Sequence, residues 1–218
     1  MLTIQRCKTD EKWAIGRPAL RLSLRIMDQD ALKAFLHRIY PLTPAELDGV
    51  TEGWQLLSCK RKTLLTAAGE TERAMYFVLE GVQRAFYLGE DNREATVVFT
   101  YPPSFSGVAD SFLTQTPSRF YLETLTASRF LRISYDAVQE RCRIYPNFER
   151  LLFKATAFAL RGALERHIEL QSFSNEEKFR TLLQRSPHIL QLVPQKYLAS
   201  YLGMDATNFS KLLATVRI

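Results

Sequence analysis

The residues whose spacing points to a binding chemistry lie near the C-terminus, between 195 and 214. Ala199 stands where two crossing helices would touch, and Gly203 stands where the turn needs a left-handed backbone. Asp205 can accept the free amide hydrogens of a following helix. Apolar residues occupy the seam positions between the two helices: Leu198, Leu202, Met204, Phe209 and Leu212. This register predicts a helix-turn-helix whose second helix, 206–216, would enter the major groove of DNA.

The side chains predicted to face DNA are few and mostly small. Lys211 suits a phosphate or a guanine edge, and Asn208 has the amide that pairs with adenine, although it could equally only help to cap the helix. The alternative to a DNA-binding motif is an ordinary helical hairpin with a glycine turn. The predicted DNA-facing residues are Gln195, Lys196, Ala206, Thr207, Asn208, Ser210 and Lys211.

A second candidate binding segment is Phe105-Ser-Gly-Val-Ala-Asp-Ser-Phe112, which is rich in small residues. Such a segment can open a short helix and offer free backbone amides to an anion. Composition supports a tight corner between strands equally well, and both interpretations stay open at this point.

The second segment lies within a region that is predicted to form short strands. Residues 54–134 contain seven short runs rich in branched and aromatic residues, separated by glycine, proline and asparagine turns. The predicted strands are 55–60, 62–65, 75–80, 82–88, 94–100, 120–125 and 130–133. Many short strands at such spacing predict a β sandwich or jelly roll.

Helices are predicted on both sides of the strands. Apolar residues recur at helical spacing over 28–40, and a long helix is predicted over 145–172 with two apolar stripes. One stripe would pack on the chain's own barrel and the other on a twin helix, which predicts a homodimer; a central helix of a monomer is the alternative. The two stripes are Phe153, Ala157, Leu160, Leu164, Ile168 and Phe148, Leu152, Ala155, Ala159, Gly162, Ala163. Predicted dimer contacts are Phe153, Ala155, Ala159, Leu160, Gly162 and Ala163.

Composition bounds the class of protein. The net charge is +6, but residues 1–26 alone carry +4, so overall basicity is weak evidence for DNA binding. We expect residues 1–26 to be a poorly ordered extension or a mis-called start, with Met27 as a natural beginning. No apolar run is long enough for a membrane span or a signal peptide, which predicts a cytoplasmic protein without a membrane partner.

Cysteine and histidine usage argues against metal sites and a disulfide framework. Cys7, Cys59 and Cys142 are scattered singly, so we expect reduced, packing cysteines. The histidines all lie outside residues 54–134, which argues against metal catalysis in a barrel. His167 lies among charged residues and is expected to be solvated rather than to bind haem. No phosphate loop or nucleophile elbow appears, so we predict no catalytic residues, no metal, no cofactor and no enzyme activity.

From Asp28 onward, about 190 residues resemble the Crp/Fnr family of transcription regulators. Ser111-Phe-Leu-Thr-Gln-Thr-Pro-Ser118 and Val193-Pro-Gln-Lys-Tyr-Leu-Ala-Ser-Tyr-Leu-Gly203 look like a branch common in Bacteroidetes. The resemblance implies an α+β fold with a β jelly-roll sensor domain like those that bind cyclic nucleotides, a long dimerisation helix and a C-terminal winged helix-turn-helix. It also implies a homodimer that binds a two-fold DNA operator and contacts RNA polymerase. The implied divisions are 1–26, 27–145, 146–172 and 173–218.

Two departures from the family pattern modify this expectation. In members that bind cyclic AMP, the cassette glycine is followed by a glutamate, and an arginine-serine pair holds the phosphate; here Gly107 precedes Val108, and the pair is Ser118-Arg119. An arginine one residue late on a strand points to the opposite face, so we expect no cyclic AMP binding and an unidentified small-molecule effector. The degenerate cassette is Ser106, Gly107, Val108, Ser118 and Arg119.

The second departure is in the recognition helix, where family arginines are replaced and Ser210-Lys-Leu-Leu213 stands instead. The main alternative function is therefore a ligand-binding or protein-interaction dimer whose helix-turn-helix no longer binds DNA. A basic surface around Lys178, Arg180, Lys196 and Lys211 would favour retained DNA binding. The predicted mechanism is a population shift in which the barrel contents bias the long helices and thereby the spacing of the DNA-reading helices.

Overall fold

Two sheets, antiparallel except for the short parallel pair of β1 with β3, form the centre of the molecule. The structure, a computed structural model, describes residues 5–6 and 18–216, with side chains from residue 26 onward. One sheet has the order β1-β3-β8-β5-β6 and the other the order β2-β9-β4-β7. The strands are β1 (Gln5–Arg6), β2 (Gln55–Cys59), β3 (Thr63–Thr66), β4 (Ala74–Glu80), β5 (Gln83–Leu88), β6 (Glu94–Thr100), β7 (Ser104–Ser106), β8 (Tyr121–Thr124) and β9 (Ser128–Ser134).

All seven predicted strands are present within two residues of their expected bounds, which confirms the jelly-roll prediction. The two strands that were not predicted are short: β1, which pairs with β3, and β7, which pairs with β4. β7 comes from the segment that composition left open between a helix start and a corner. Short strands of three residues or fewer carry too little alternation to be read from sequence.

Helices flank the sheets in the predicted order. They are α1 (Pro18–Ile39), α2 (Pro44–Thr51), α3 (Ala109–Thr114), α4 (Tyr135–Ile144), α5 (Pro146–Ser172), α6 (Asn175–Arg185), α7 (Ile189–Leu192), α8 (Gln195–Tyr201) and α9 (Ala206–Thr215). α2 and α6 begin with capping boxes, at Thr43–Glu46 and at Ser174–Glu177. α1 begins ten residues before the predicted Asp28, so part of the proposed 1–26 extension is helical. β1 also lies within residues 1–26 and pairs with β3. Residues 1–4 and 7–17 of the proposed extension lie outside the described range.

Two of the hydrophobic clusters join the helices to the sheets. In the first, α1 and the start of α5 pack on the outside of the β4–β9 sheet, around Trp54, Phe77 and Phe148. In the second, the α6–α9 segment packs on Val82, Phe99 and Leu125 of the barrel. The C-terminal helices are therefore not attached through α5 alone, because they share a hydrophobic core with the jelly-roll domain.

Three further findings concern the cysteines, the wing strands and membrane spans. Cys59 is disulfide-bonded, so the prediction of reduced cysteines is wrong for Cys59; Cys142 is free. The spacing of the cysteines along the sequence did not predict the disulfide of Cys59. No wing strands accompany α6–α9 among residues 173–216. None of the helices in the described chain is long and apolar enough to cross a membrane.

Candidate effector cavity and nucleic-acid interface

The helix-turn-helix has the predicted geometry. Leu198, Leu202 and Phe209 are completely buried, and the Phe209 ring meets the Phe179 ring of α6 edge-on, with centroids 5.5 Å apart. Met204 and Leu212 pack against the same core, which confirms the five seam positions.

The turn between α8 and α9 depends on Gly203 and Asp205. Gly203 has φ +64°, where a side chain is disfavoured, and its amide donates to the Ser200 carbonyl at 3.1 Å. The Asp205 carboxylate accepts from the Asn208 backbone amide at 2.8 Å. The predicted turn and cap are therefore both confirmed.

The predicted DNA-facing residues are all exposed. Lys211 and Thr207 lie on the open face of α9, and Lys196 lies at the start of α8. The Asn208 side-chain amide donates to Asp205 at 2.6 Å, so Asn208 helps to cap the helix. Their role in DNA binding stays a prediction.

The predicted basic surface is smaller than the sequence suggested. Lys178 is only 7% exposed because it packs inside the C-terminal helical core, and Arg180 pairs with Glu176 one helical turn away at 2.9 Å. Lys196 and Lys211 remain as the exposed lysines of that predicted set. Helical periodicity could have placed Lys178 on the same face as the buried Leu182, four residues on.

The helix-turn-helix is attached to the jelly-roll domain along β6. The Ser200 hydroxyl of α8 donates to the Glu94 carbonyl at 2.9 Å and accepts from the Thr96 amide at 3.0 Å. The Tyr201 ring packs on Phe99, with centroids 5.1 Å apart. Because β6 is the edge strand of its sheet, Ser200 satisfies backbone groups that would otherwise lack a strand partner.

Arg84 lies at the centre of this contact and is 1% exposed. Its guanidinium lies 3.6 Å from the centroid of the Tyr197 ring and 4.0 Å from that of Phe86. It also donates to Glu94 at 2.5 Å and to Glu123 at 2.6 Å. The buried cation is therefore paired with two carboxylates and enclosed by rings from both domains.

A second buried cluster joins α5 to α8. Arg166 donates to Glu169 at 2.7 Å and to the Tyr201 carbonyl, and Arg185 also donates to Glu169. Burial raises the pKa of the Tyr201 hydroxyl. Arg166 and Glu169 are among the charged residues around His167 and are nevertheless buried, because α6 and α8 cover them. The sequence of α5 alone gives no sign of these covering helices.

The residues of the degenerate cassette lie in different environments. Val108 is buried with Ala85 and Leu122, where its side chain closes the barrel interior. The buried Ser118 hydroxyl donates to the Phe120 carbonyl at 2.8 Å, while Arg119 is exposed with its guanidinium 5.6 Å from the Tyr87 ring centroid. The expected outward direction of Arg119 is confirmed.

A buried carboxylate stands where the cassette amides converge. Glu72 is 3% exposed, and it accepts from the Thr66 hydroxyl at 2.5 Å and the Ala74 amide at 3.2 Å. It also accepts from the Val108 amide, the residue before α3, at 3.4 Å. Burial raises the pKa of the Glu72 carboxyl despite these hydrogen bonds. No sequence motif singled out Glu72, because only the fold brings it to the Val108 amide and the Ser111 hydroxyl, 36 and 39 residues away.

A cavity of about 280 Å³ opens beside the cassette. β4, β6, β7 and α3 form its barrel side, and the first half of α5 forms the other side. It contains Ser106 and Gly107 of the predicted ligand-binding set, whereas Ser118 and Arg119 are not among its lining residues. Ala155 and Ala159, predicted as dimer contacts, line it from α5.

The stripe of α5 that consists of the larger apolar side chains faces away from the rest of the molecule. Phe153 is 78% exposed, and Leu160, Leu164 and Ile168 are each more than half exposed. Phe148 and Leu151 at the start of α5 are completely buried against the barrel. The predicted dimer contacts Gly162 and Ala163 are also exposed, and no atom lies within 4 Å of a Cβ built at Gly162.

The described chain offers no obvious metal site. No group of three or more histidine, cysteine, aspartate or glutamate residues is arranged to hold a metal ion among the residues that the structure describes. His167 is exposed, and its ring contacts the Gln171 side chain at 2.9 Å.

Residues 56–145 match the family described as the cyclic nucleotide-binding domain. No curated protein sequence matches the chain. Solved structures share the fold at low identity. FixK2 from Bradyrhizobium japonicum has a TM-score of 0.66 and 19% identity, with 74% of this chain and 83% of that chain covered.

Two further structures extend the comparison. The c-di-GMP responsive global regulator CLP from Xanthomonas campestris has a TM-score of 0.60 and 16% identity, covering 79% of this chain and 90% of that one. A protein assigned to the Crp/Fnr family of transcriptional regulators from Eubacterium rectale has a TM-score of 0.63 and 13% identity, covering 81% and 86%. The predicted Bacteroidetes branch stays a prediction. Residues 56–145 thus match the cyclic nucleotide-binding domain family, and the chain shares its fold, over 74% to 81% of its length, with solved structures that include a Crp/Fnr family transcriptional regulator.

Proposed function

We propose that this chain is a homodimeric, non-enzymatic DNA-binding transcription regulator with an effector-sensing barrel. The observation that carries the proposal is the helix-turn-helix: α9 is held rigidly by the buried Leu202 and Phe209, while Thr207, Ser210 and Lys211 remain exposed on its outer face. A helix held in this way is able to lie in a major groove with its N-terminal residues at base edges.

The barrel of the proposed regulator does not bind cyclic AMP. Val108 lacks the carboxylate that would bind the ribose hydroxyl, and its side chain fills barrel space. Arg119 is exposed on the outer surface, and no lysine or arginine among the described residues lines the neighbouring cavity. A cyclic phosphate would therefore enter without a cation and close to the Glu72 carboxylate. The CLP neighbour is described as responsive to c-di-GMP, but the same argument opposes that anionic ligand in this cavity.

Dimerisation through α5 would give a two-fold symmetric dimer that presents two recognition helices to DNA. The exposed stripe Phe153, Leu160, Leu164 and Ile168 is the surface offered to a second copy. The Arg166–Glu169 pair joins the same helix to α8, so a change in helix packing would reach the DNA-reading helices. Barrel contents would then shift the population of dimer geometries that fit a two-fold operator, and the bound dimer would contact RNA polymerase.

Selection of genomic fragments tests this function. The purified chain is incubated with sheared DNA of the source genome, bound fragments are sequenced, and Lys211→Ala is processed in parallel. We expect the wild type to enrich a palindrome that the variant recovers weakly. Recovery of the same random fragments by both proteins would overturn the proposal.

The alternative is a ligand-binding or protein-interaction dimer whose helix-turn-helix has lost DNA binding. It is favoured by the small number of exposed cations, since Lys178 is buried and Arg180 pairs with Glu176. If no fragment is enriched even after cell-extract metabolites are added, this function replaces the first.

A further inference from the structure

The cavity beside the cassette has an apolar lining. Met75, Phe105, Phe112, Leu113 and Leu152 supply most of its larger side chains. At about 280 Å³ it exceeds the roughly 150 Å³ engineered cavity that holds benzene in another protein, so it has room for more than one aromatic ring.

The few polar side chains of the lining are already hydrogen-bonded within the protein. The Thr100 hydroxyl bonds to Gln83 at 3.0 Å and to Ser106 at 2.9 Å. The Thr156 hydroxyl donates to the Leu152 carbonyl at 2.9 Å. A ligand would therefore meet mainly carbon surface rather than a set of unpaired polar groups.

Glu72 makes the neighbourhood unfavourable for an anion. Its carboxylate lies about 4.0 Å from a Cβ built on Gly107, which lines the cavity, and it accepts the Ala74 and Val108 amides. Backbone amides that could have faced an anionic ligand are thus used by the protein's own carboxylate. Arg119, the nearest cassette cation in the sequence, is directed to the outer surface.

We propose that this cavity binds a small, uncharged, predominantly apolar molecule, and that this molecule is the effector. The effector role rests on the proposed regulatory function, whereas binding itself does not. The site takes a different chemical class of ligand from a cyclic nucleotide, because shape and carbon surface replace a phosphate-binding cation.

β6 connects the cavity to the DNA-reading domain. Val98 and Thr100 line the cavity, while Thr96 and Phe99 of the same strand contact Ser200 and Tyr201 of α8. A ligand that displaces β6 would act on the contact that fastens the helix-turn-helix. This coupling gives the apolar ligand a route to DNA affinity.

A matched pair of fluorescent probes tests the proposal. N-phenyl-1-naphthylamine is neutral, and 8-anilinonaphthalene-1-sulfonate is the same ring system with a sulfonate. We expect the neutral probe to bind saturably and the sulfonate to bind at least about tenfold more weakly, because its charge must be desolvated beside Glu72. Equal or tighter binding of the sulfonate would overturn the proposal.

Cavity-filling variants locate the probe. Ala155→Phe is expected to abolish binding of the neutral probe, and Ala109→Phe, on the opposite wall, is expected to weaken it. Lys154→Phe adds the same ring on the neighbouring α5 position, outside the lining, and should leave binding unchanged. Thermal melts identify any variant that fails to fold, and unchanged binding in both folded cavity variants would contradict the assignment.

Two further measurements distinguish a failure of the ligand site from a failure of the proposed function. If probe binding disappears over the concentration range in which the chain dimerises, the second copy fills the cavity and the small-molecule proposal is wrong. Fluorescence anisotropy of a labelled DNA fragment, with and without the neutral probe, tests the effector role. Probe binding without any DNA binding would defeat the proposed function but not the site, whereas specific DNA binding without probe binding would defeat the site alone.

Discussion

At the scale of single residues, Glu72 shows how the molecule tolerates a carboxylate in its interior. Three hydrogen-bond donors, from Thr66, Ala74 and Val108, favour the charged form, while burial disfavours it more strongly and raises the pKa. The folded chain therefore binds a proton at Glu72 at a higher pH than the unfolded chain does.

This shift predicts a pH-dependent effect of Glu72→Gln. The raised folded pKa favours the wild type at a pH near the unfolded glutamate value of about 4.3, and that contribution is lost as pH rises through the folded pKa. The unfolding free energy of the wild type should thus rise, relative to Glu72→Gln, as pH falls from 7.5 to 5. Urea denaturation measures the difference, with Glu90→Gln as an exposed control. A difference that shrinks on acidification would refute the assignment.

Arg84 carries a second prediction, because its removal leaves Glu94 and Glu123 without their shared cation. Arg84→Met is expected to reduce the free energy of unfolding by about 2–4 kcal/mol. Arg93→Met removes an exposed arginine that pairs with Asp91 and should cost under about 1 kcal/mol. Chemical denaturation compares the two, and similar small losses would show that the buried cluster contributes little.

At the scale of elements, local pattern was enough for the helix-turn-helix and for seven strands. The seam of Leu198, Leu202 and Phe209 is set by spacing within a few residues, which sequence displays directly. The burial of Arg84 depends on elements distant in sequence and could not be read from local periodicity, whereas Lys178 lies on the same face of α6 as the buried Leu182.

The features of the candidate site also fall into two groups, those that the local sequence predicts and those that depend on distant contacts. Arg119 is exposed as predicted, although it lies in the bend before β8 and not on a strand, whereas the cavity and the role of Glu72 require the packing of α5 and β7 on the barrel. The pairing of α8 with β6 through Ser200 also joins segments more than 100 residues apart. No spacing rule along one strand or helix reveals such contacts.

The α8–α9 turn gives a prediction at this scale. Gly203→Ala places a Cβ in a left-handed conformation and 3.0 Å from the end of the Leu170 side chain. We expect a loss of about 1–2 kcal/mol in unfolding free energy, since the strain lies in the backbone. Gly203→Asn should lose less, because asparagine tolerates this conformation better. Denaturant midpoints test the order, and equal losses for both variants would contradict it.

At the scale of the whole molecule, the unpartnered surface of α5 is the strongest indication of a dimer. Its large apolar residues are exposed at helical spacing over four turns, while the buried residues of the same helix face the barrel and α8. A surface of this kind is costly to leave in water unless another helix covers it.

Charge insertion in that surface tests dimerisation. The double variant Leu160→Glu, Leu164→Glu is expected to sediment as a folded monomer at concentrations where the wild type is a dimer. Leu56→Glu changes a similarly exposed leucine on β2 and should leave the wild-type assembly intact. A wild type that remains monomeric at all concentrations would refute the proposed homodimer.

The central claim, that this chain reads DNA, is tested most directly by anisotropy of a labelled selected fragment over a range of salt concentrations. If Lys196 and Lys211 of both protomers meet phosphates, the plot of log affinity against log salt should have a slope of about −4, and Lys211→Ala should reduce its magnitude by about 2. The account predicts this slope together with clearly tighter binding to the selected fragment than to a scrambled duplex. Equal, weak binding to both duplexes would contradict the account.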